Sequence, residues 1–497
     1  MLYFSFLSSR RKMEVQPHLQ PNTDQTIIHS VFPPPVWDSC SFTYFSLLDS
    51  EYESWTRRVE ALKEKVKDML MADASNPIKK IELINLLCRL GLSYHFEREI
   101  EEQLIHIFNW VPQLFDENDY DLYTTALLFQ VLRQHGFKMT CDVFKKFKDS
   151  NGEFKKSIIK DVRGILSLYE ASFMSVHGED ILDEALEFTR SHLESLAMQS
   201  KPHYSERIKN ALILPFHKGV PRVEAWQYIS FYEKEESPNE FLLEFAKLDF
   251  NRVQLLQREE LKVMARCSID ATDELPDYMK VFYKELLNLF EETENIASKE
   301  GRSNCAYYVK EEFKNLLRSY RMEAQWFNEG YVPTFDVYLQ NGSESSTYGV
   351  VVAAGFIGME KIAGIKDYQW LQSNPKIVKA VKVLGRLEND IASHQAEQKR
   401  GDSASSVECY MKEHDVLEKK AVEEILKICA NAWKDINEEC MKPTALPSPI
   451  LKLLVNVARI TEVVYRFDDS YTNPSSLKDK ITALFLKPLP LQDQVNI

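Results

Sequence analysis

Apolar residues return at every third and fourth position through most of the chain, as in IELINLLCRLGL (Ile81 to Leu92) and YMKVFYKELLNLFEE (Tyr278 to Glu292). That spacing lines one face of a 3.6-residue helix, so the pattern predicts a nearly all-helical protein. Only 15 glycines interrupt 497 residues. Pro33, Pro34 and Pro35 forbid a helix and favour an extended segment that Trp37 could pin to a surface. The first long helix is expected near Ser54. From there to about Ser200 amphipathic helices alternate with polar breaks at Asp149 to Gly152 and His177 to Asp180. Pro215, Gly219 and Pro221 in LPFHKGVPRVEAW mark the best domain boundary, and later breaks fall at Gly330 to Pro333 and Pro443 to Pro449. The expected organisation is an N-terminal arm (1–29), a first helical domain (30–215) and a second (216–497), meeting near residues 215 to 235. No fixed-period repeat points to a solenoid.

A hydrophobic share of 44% allows each domain its own core. The formal net charge of −14 opposes a phosphate backbone, and no basic stripe is interleaved with aromatics, which argues against a nucleic-acid partner. No apolar run approaches the roughly 20 residues of a membrane span. The eight cysteines form no C-x-x-C pair, which argues against a zinc site or disulfide framework and fits a reducing compartment. Residues 1–12 read as an appendage ahead of a second methionine, Met13.

The sharpest chemical signal is LENDIASHQAEQKRGD (Leu387 to Asp402). On a helix Asn389, Ser393 and Glu397 stand four residues apart, so three oxygen-bearing side chains form one stripe. Oxygen ligands suit a hard cation such as Mg²⁺, which keeps several waters and shares itself with substrate phosphates. Spacing alone also fits a solvated helix face. Lys399 and Arg400, a turn further on, favour the functional reading because they could meet diphosphate oxygens.

Five long stretches resemble plant terpene synthases, in family order: Leu132 to Asp149, Asp161 to Leu186, Leu214 to Glu233, Trp326 to Leu339 and Asn389 to Gly401. The resemblance implies an all-α fold of two helical domains, a relic N-terminal barrel and a C-terminal barrel holding the active site. It implies Mg²⁺, or Mn²⁺ in its place, ionising a prenyl diphosphate, whose carbocation then cyclises in a dry aromatic pocket. Releasing diphosphate needs concentrated positive charge, and the carbocation needs exclusion of water and aromatic faces. By resemblance Asn389, Ser393 and Glu397 are the metal ligands of the second family motif, Arg386, Lys399 and Arg400 meet the diphosphate, and Tyr465, Asp469 and Tyr471 line the pocket. Ser470 stands where the family usually has glycine, which questions the local turn.

In the family, the REELK run at Arg258 to Lys262 leads into a tryptophan-rich segment, an arginine clamp and the DDxxD motif that binds the other metal ions. Here Arg266 runs directly into Cys267. Roughly seventy residues, a few helices at the usual length, are expected to be missing between them. Neither Asp270, Asp273 and Glu274, nor Asp468 and Asp469, nor the cluster Asp116 to Asp121 replaces DDxxD; the last reads as a loop or cap. Ile27 and Ile28 stand where enzymes that use geranyl diphosphate commonly carry twin arginines, and few residues precede them. The resemblance is therefore to cytoplasmic, monomeric sesquiterpene synthases acting on farnesyl diphosphate, with activity impaired by the missing block. The alternatives are an inactive paralogue, splice form or incomplete gene model, and a monoterpene synthase using geranyl diphosphate.

Overall fold

The computed structural model describes residues 49–72, 76–200, 202–235, 237–264, 277–299, 301–302 and 304–491. The N-terminal arm, the Arg266/Cys267 junction and the acidic trio Asp270, Asp273 and Glu274 lie outside the described residues. Among the described residues nine α-helices precede that junction: α1 (Asp49–Met71), α2 (Pro77–Arg89), α3 (Glu97–Glu117), α4 (Leu122–Gln134), α5 (Val162–Ser172), α6 (Asp180–Gln199), α7 (Pro202–Ile213), α8 (Pro221–Tyr232) and α9 (Glu240–Met264). Ten follow it: α10 (Asp277–Lys299), α11 (Cys305–Glu329), α12 (Phe335–Ser345), α13 (Tyr348–Ile357), α14 (Ile365–Gln372), α15 (Lys376–Arg400), α16 (Ser406–His414), α17 (Glu418–Glu439), α18 (Ser448–Tyr465) and α19 (Lys478–Phe485). Among the described residues the extended pairing is limited to one bridge, Lys148 with Phe154.

Local chemistry sets many of the ends. Asn76 Oδ1 accepts the amides of Ile78 and Lys79 ahead of Pro77, and Asp161 Oδ1 accepts the Gly164 amide at 2.8 Å. Each satisfies amide donors that a first helical turn leaves open. Asp121, last of the acidic cluster, caps α4 in the same way through the Thr124 amide. Gly330 and Gly401 close α11 and α15 in the left-handed conformation that a side chain resists.

Among the described residues two large buried apolar clusters result, with a small third one at Leu477, Ile481 and Phe485. The first runs from Val59 to Phe250 and takes in Leu489 near the C-terminus; the second runs from Ala297 to Ala458. The chain turns at Pro215 to Pro221, but α8 and α9 beyond that turn still share the first core. Asn251 Nδ2 donates to Leu489 O at 2.9 Å, and Gln254 Nε2 to Ala483 O at 2.8 Å, which ties the final residues back onto α9. Lys434 with Asp183, and Lys452 with Glu97, join the two units at 2.7 and 2.6 Å.

Candidate active site

α15 lies between α17 and α18 in the second core, with α12 against another flank. Its apolar positions Ile377, Val381, Leu384 and Leu387 are buried, and this packing fixes the rotation of the oxygen stripe. Ser393 is buried, while Asn389 and Glu397 are half-buried. The Ser393 hydroxyl donates to Asn389 O at 2.8 Å, leaving its own oxygen lone pairs available. Burial pushes the Glu397 carboxyl above its usual range; Ser393 and Arg386 pull it down, and Asp390 and Asp402 push it up. A carboxyl set among like charges in a partly dry place is where a hard cation is most welcome. The donor set fits Mg²⁺ on these grounds.

Arg386, one turn before Asn389, is already engaged. Its Nε donates to Gly342 O at 3.0 Å, its Nη1 to Asp390 Oδ1 at 3.1 Å and its Nη2 to Ser345 Oγ at 3.1 Å. Asp390, which sequence reasoning passed over, organises this wall. It also accepts the Tyr338 hydroxyl at 2.8 Å and the Ser406 amide at 3.1 Å. Its place beside Asn389 was the available signal, since the next residue on a helix points about 100° away from the stripe. Arg400 pairs with Asp402 at 2.7 Å on the surface, and Lys399 is exposed beside it.

Tyr465 ends α18, and the segment to Tyr471 continues directly from it. Asp469 Oδ1 accepts the amides of Tyr471 and Thr472, both at 3.1 Å, and so shapes the turn. Ser470 keeps an ordinary negative φ, because it is not among the left-handed residues, and its hydroxyl donates to Asp468 at 2.8 Å. The doubt raised by serine at a usual glycine position is thereby answered: the turn here does not need the left-handed region. Tyr465 is half-buried and Tyr471 exposed; burial, Tyr320 and Asp469 hold the Tyr471 hydroxyl protonated above its usual range. Tyr320 of α11 also meets Thr347 Oγ1 at 3.3 Å. Thr347 has φ 72° at the break between α12 and α13, a strained β-branched residue that periodicity alone does not reveal. The structure therefore groups Tyr471 with Tyr320 and Thr347, and groups Asn389, Ser393 and Glu397 with Arg386, Asp390 and Asp402.

A cavity of about 220 Å³ opens between the end of α11 and the turn after α15, with Glu323, Trp326, Tyr331 and Asp402 in its wall. Elsewhere His177, Asp435 and Glu438 have metal-like spacing, but the Lys376 ammonium already pairs with Asp435 at 2.8 Å and Glu438 at 2.5 Å.

The profile of "Terpene synthase, N-terminal domain" matches residues 36–212, and that of "Terpene synthase family, metal binding domain" matches residues 258–435, together well over half the chain. The chain belongs to the terpene synthase family. It is similar to "Probable terpene synthase 6" of Ricinus communis, with 51% identity over 545 residues, covering 93% of this chain and 98% of that one. It is also similar to "Casbene synthase, chloroplastic" of the same plant, at 41% identity with 98% and 94% covered. Among solved structures, isoprene synthase from grey poplar (Populus x canescens), in complex with three Mg²⁺ ions and dimethylallyl-S-thiolodiphosphate, superposes with a TM-score of 0.79 at 28% identity, covering 88% of this chain and 98% of that one. The terpene synthases are lyases, and the two-domain helical architecture of this chain is theirs. α15, with its oxygen stripe, falls inside the matched metal-binding region.

Proposed function

We propose that this terpene synthase descends from sesquiterpene synthases that ionise farnesyl diphosphate with Mg²⁺, and that the chain as it stands carries out that step slowly or not at all. The observation that carries the reading is the stripe Asn389, Ser393 and Glu397 on α15, flanked by the carboxylates of Asp390 and Asp402. Mg²⁺ bound there supplies the positive charge that lets diphosphate depart as an anion. The chain's own residues do the rest: Asp390 and Arg386 hold α15 against α12, Lys399 and Arg400 offer charge to diphosphate oxygens, and Tyr320 and Tyr471 offer ring faces to an apolar chain.

Two observations support the impaired reading. The 51% alignment spans 545 residues, more than the 497 of the whole chain, so the relative carries several tens of residues in all with no counterpart here. The sequence at Arg266 to Cys267 lacks the clamp and DDxxD at that point, leaving one metal-binding wall where two facing walls are needed. Ile27 and Ile28 support farnesyl over geranyl diphosphate. The same reading makes the protein a cytoplasmic monomer.

The test is to incubate the purified chain with farnesyl diphosphate and Mg²⁺ and to assay hydrocarbon and alcohol products beside a form with a family-type segment restored after Arg266. Product from the restored form alone locates the defect at the junction; comparable turnover by both shows the block to be dispensable and the reading wrong. A parallel incubation with geranyl diphosphate separates the two substrate classes. A chain without any catalysis is the second reading, favoured by exposed apolar side chains on α10 and α11 such as Leu287, Ile296, Leu317 and Phe327. Sequencing the transcript across Ala265 to Ile269 decides whether the block exists in the cell.

A further inference from the structure

The face of α15 that carries the oxygen stripe continues back towards the start of the helix. At about 100° per residue, Lys382 and Arg386 lie within about 20° of the midline through Asn389, Ser393 and Glu397. This earlier part of the face holds the last turn of α12. The Lys382 ammonium donates to both Glu344 oxygens, at 2.8 and 3.0 Å. One turn later Arg386 donates to Gly342 O and Ser345 Oγ. Lys382 is buried and Glu344 half-buried, and Glu312 of α11 offers Lys382 a more distant carboxylate at 4.0 Å. Gly349 of α13 makes room for the cluster: a Cβ there would stand 2.7 Å from Glu312 Oε2 and 3.0 Å from Lys382 Cε.

Glu344 stands just ahead of Thr347, whose φ of 72° puts a β-branched residue in the left-handed region. Such a conformation is costly and persists only where its surroundings over-determine it. Here α15 supplies those surroundings on both sides of the break. Lys382 and Arg386 grip the turn before Thr347, and the Tyr348 ring after it is buried in the notch left by Gly385. Thr347 Oγ1 in turn lies 3.3 Å from the Tyr320 hydroxyl, so the break sets where that ring of α11 stands.

We propose that Lys382 is a positioning residue for the aromatic wall: its ion pair with Glu344 keeps the break between α12 and α13 in place against α15, so that the helix presenting the metal stripe also fixes the contact of Thr347 with Tyr320. The functional consequence rests on the reading of Tyr320 and Tyr471 as walls of the pocket; the clamp itself does not. Lys382 lies two turns before Asn389, about 10 Å along the axis, which separates its duty from metal binding. Without the ammonium, Glu344 can turn to water, and the strained turn loses a partner that keeps it from relaxing.

The test uses the full chain with Lys382→Met, Glu344→Gln and the double variant, read by hydrogen exchange and by the fluorine resonance of a fluorotyrosine placed at Tyr320. Lys382→Met is expected to speed amide exchange in residues 343–352 on the order of tenfold or more and to shift the fluorine line, while α5 and α17 keep their wild-type rates. Glu344→Gln, which leaves Lys382 the more distant Glu312, is expected to act in the same way and carries the comparison if Lys382→Met does not fold. The double variant is expected to be no worse than either single one, because all three remove the same interaction. Unchanged exchange in residues 343–352, an equal rise in α5 and α17, or effects that add in the double variant overturn the assignment. Farnesyl thiodiphosphate added with Mg²⁺ to the wild type is expected to move the same fluorine line. If that line stays still while the variants behave as stated, the pocket reading of Tyr320 fails and the positioning of the break by Lys382 stands.

Discussion

Glu397 and His217 show how burial gives ordinary side chains special duties. Glu397→Gln keeps the size of the Glu397 side chain and removes the one charged donor of the stripe. Mn²⁺ affinity measured by paramagnetic resonance is expected to fall by about tenfold or more, with little change in thermal midpoint, because a half-buried carboxylate among Asp390 and Asp402 does more for a cation than for the fold. His217 is buried and His135 half-buried, and loss of water around each ring lowers both from 6.5 to about 3. Between these values the unfolded chain binds protons that the folded chain refuses, so stability is full above about 6.5 and is lost as pH falls toward 3. Glu224 works in the opposite sense: burial raises it from 4.5 to about 7, so its contribution is full below the lower value and is lost as pH rises through the upper. His217→Asn is expected to flatten the dependence of the unfolding free energy on pH between 6 and 4, measured by urea titration at each pH; an unchanged slope would show that His217 is not held neutral.

At the level of elements, α15 is placed by close approach as much as by charge. A Cβ on Gly385 would lie 2.0 Å from the Tyr348 ring of α13, and that ring is 2% exposed and hemmed in. Alanine in a helix usually gains up to about 1 kcal/mol over glycine, whereas overpacking a tight core costs about 1–3 kcal/mol. The clash wins, so Gly385→Ala is expected to lower stability by about 1–2 kcal/mol in chemical denaturation, and adding Tyr348→Leu to recover part of the loss. Gly342→Ala tests the same reasoning more gently, since its nearest neighbours, the Arg386 stem and the Tyr338 ring, stand at 3.2 Å rather than 2.0 Å.

For the whole molecule, the two units differ in how well they are covered. Leu287, Leu289 and Ile296 on α10 and Leu317, Tyr320 and Phe327 on α11 are all exposed, a concentration of apolar surface on the two helices that follow the junction in sequence. Each Å² left uncovered forgoes about 25 cal/mol against a total stability of only about 5–15 kcal/mol. The second unit is therefore expected to open first. Brief proteolysis should cut within residues 277–345 before residues 122–213, and a hydrophobic dye should bind this chain more strongly than the form restored after Arg266. Equal cutting in the two regions would show that the exposed surface carries no such cost.

Helical periodicity, turn residues and the N389-x₃-S393-x₃-E397 spacing are local properties, set by 3.6-residue geometry and by capping chemistry close in the chain, and these were legible in the sequence. The helical fold, the breaks at Gly330 and Pro443, and the single-face stripe all follow from them. What the sequence could not disclose depends on contacts between residues far apart in the chain. The sharing of the first core by α8 and α9, the engagement of Arg386 by Gly342 and Ser345, the strain at Thr347 and the meeting of Lys218 with Glu462 across 244 positions are of that kind. No local pattern encodes them, because each is a choice among many packings of the same amphipathic helices, made only when buried charges must find partners and buried side chains must find room.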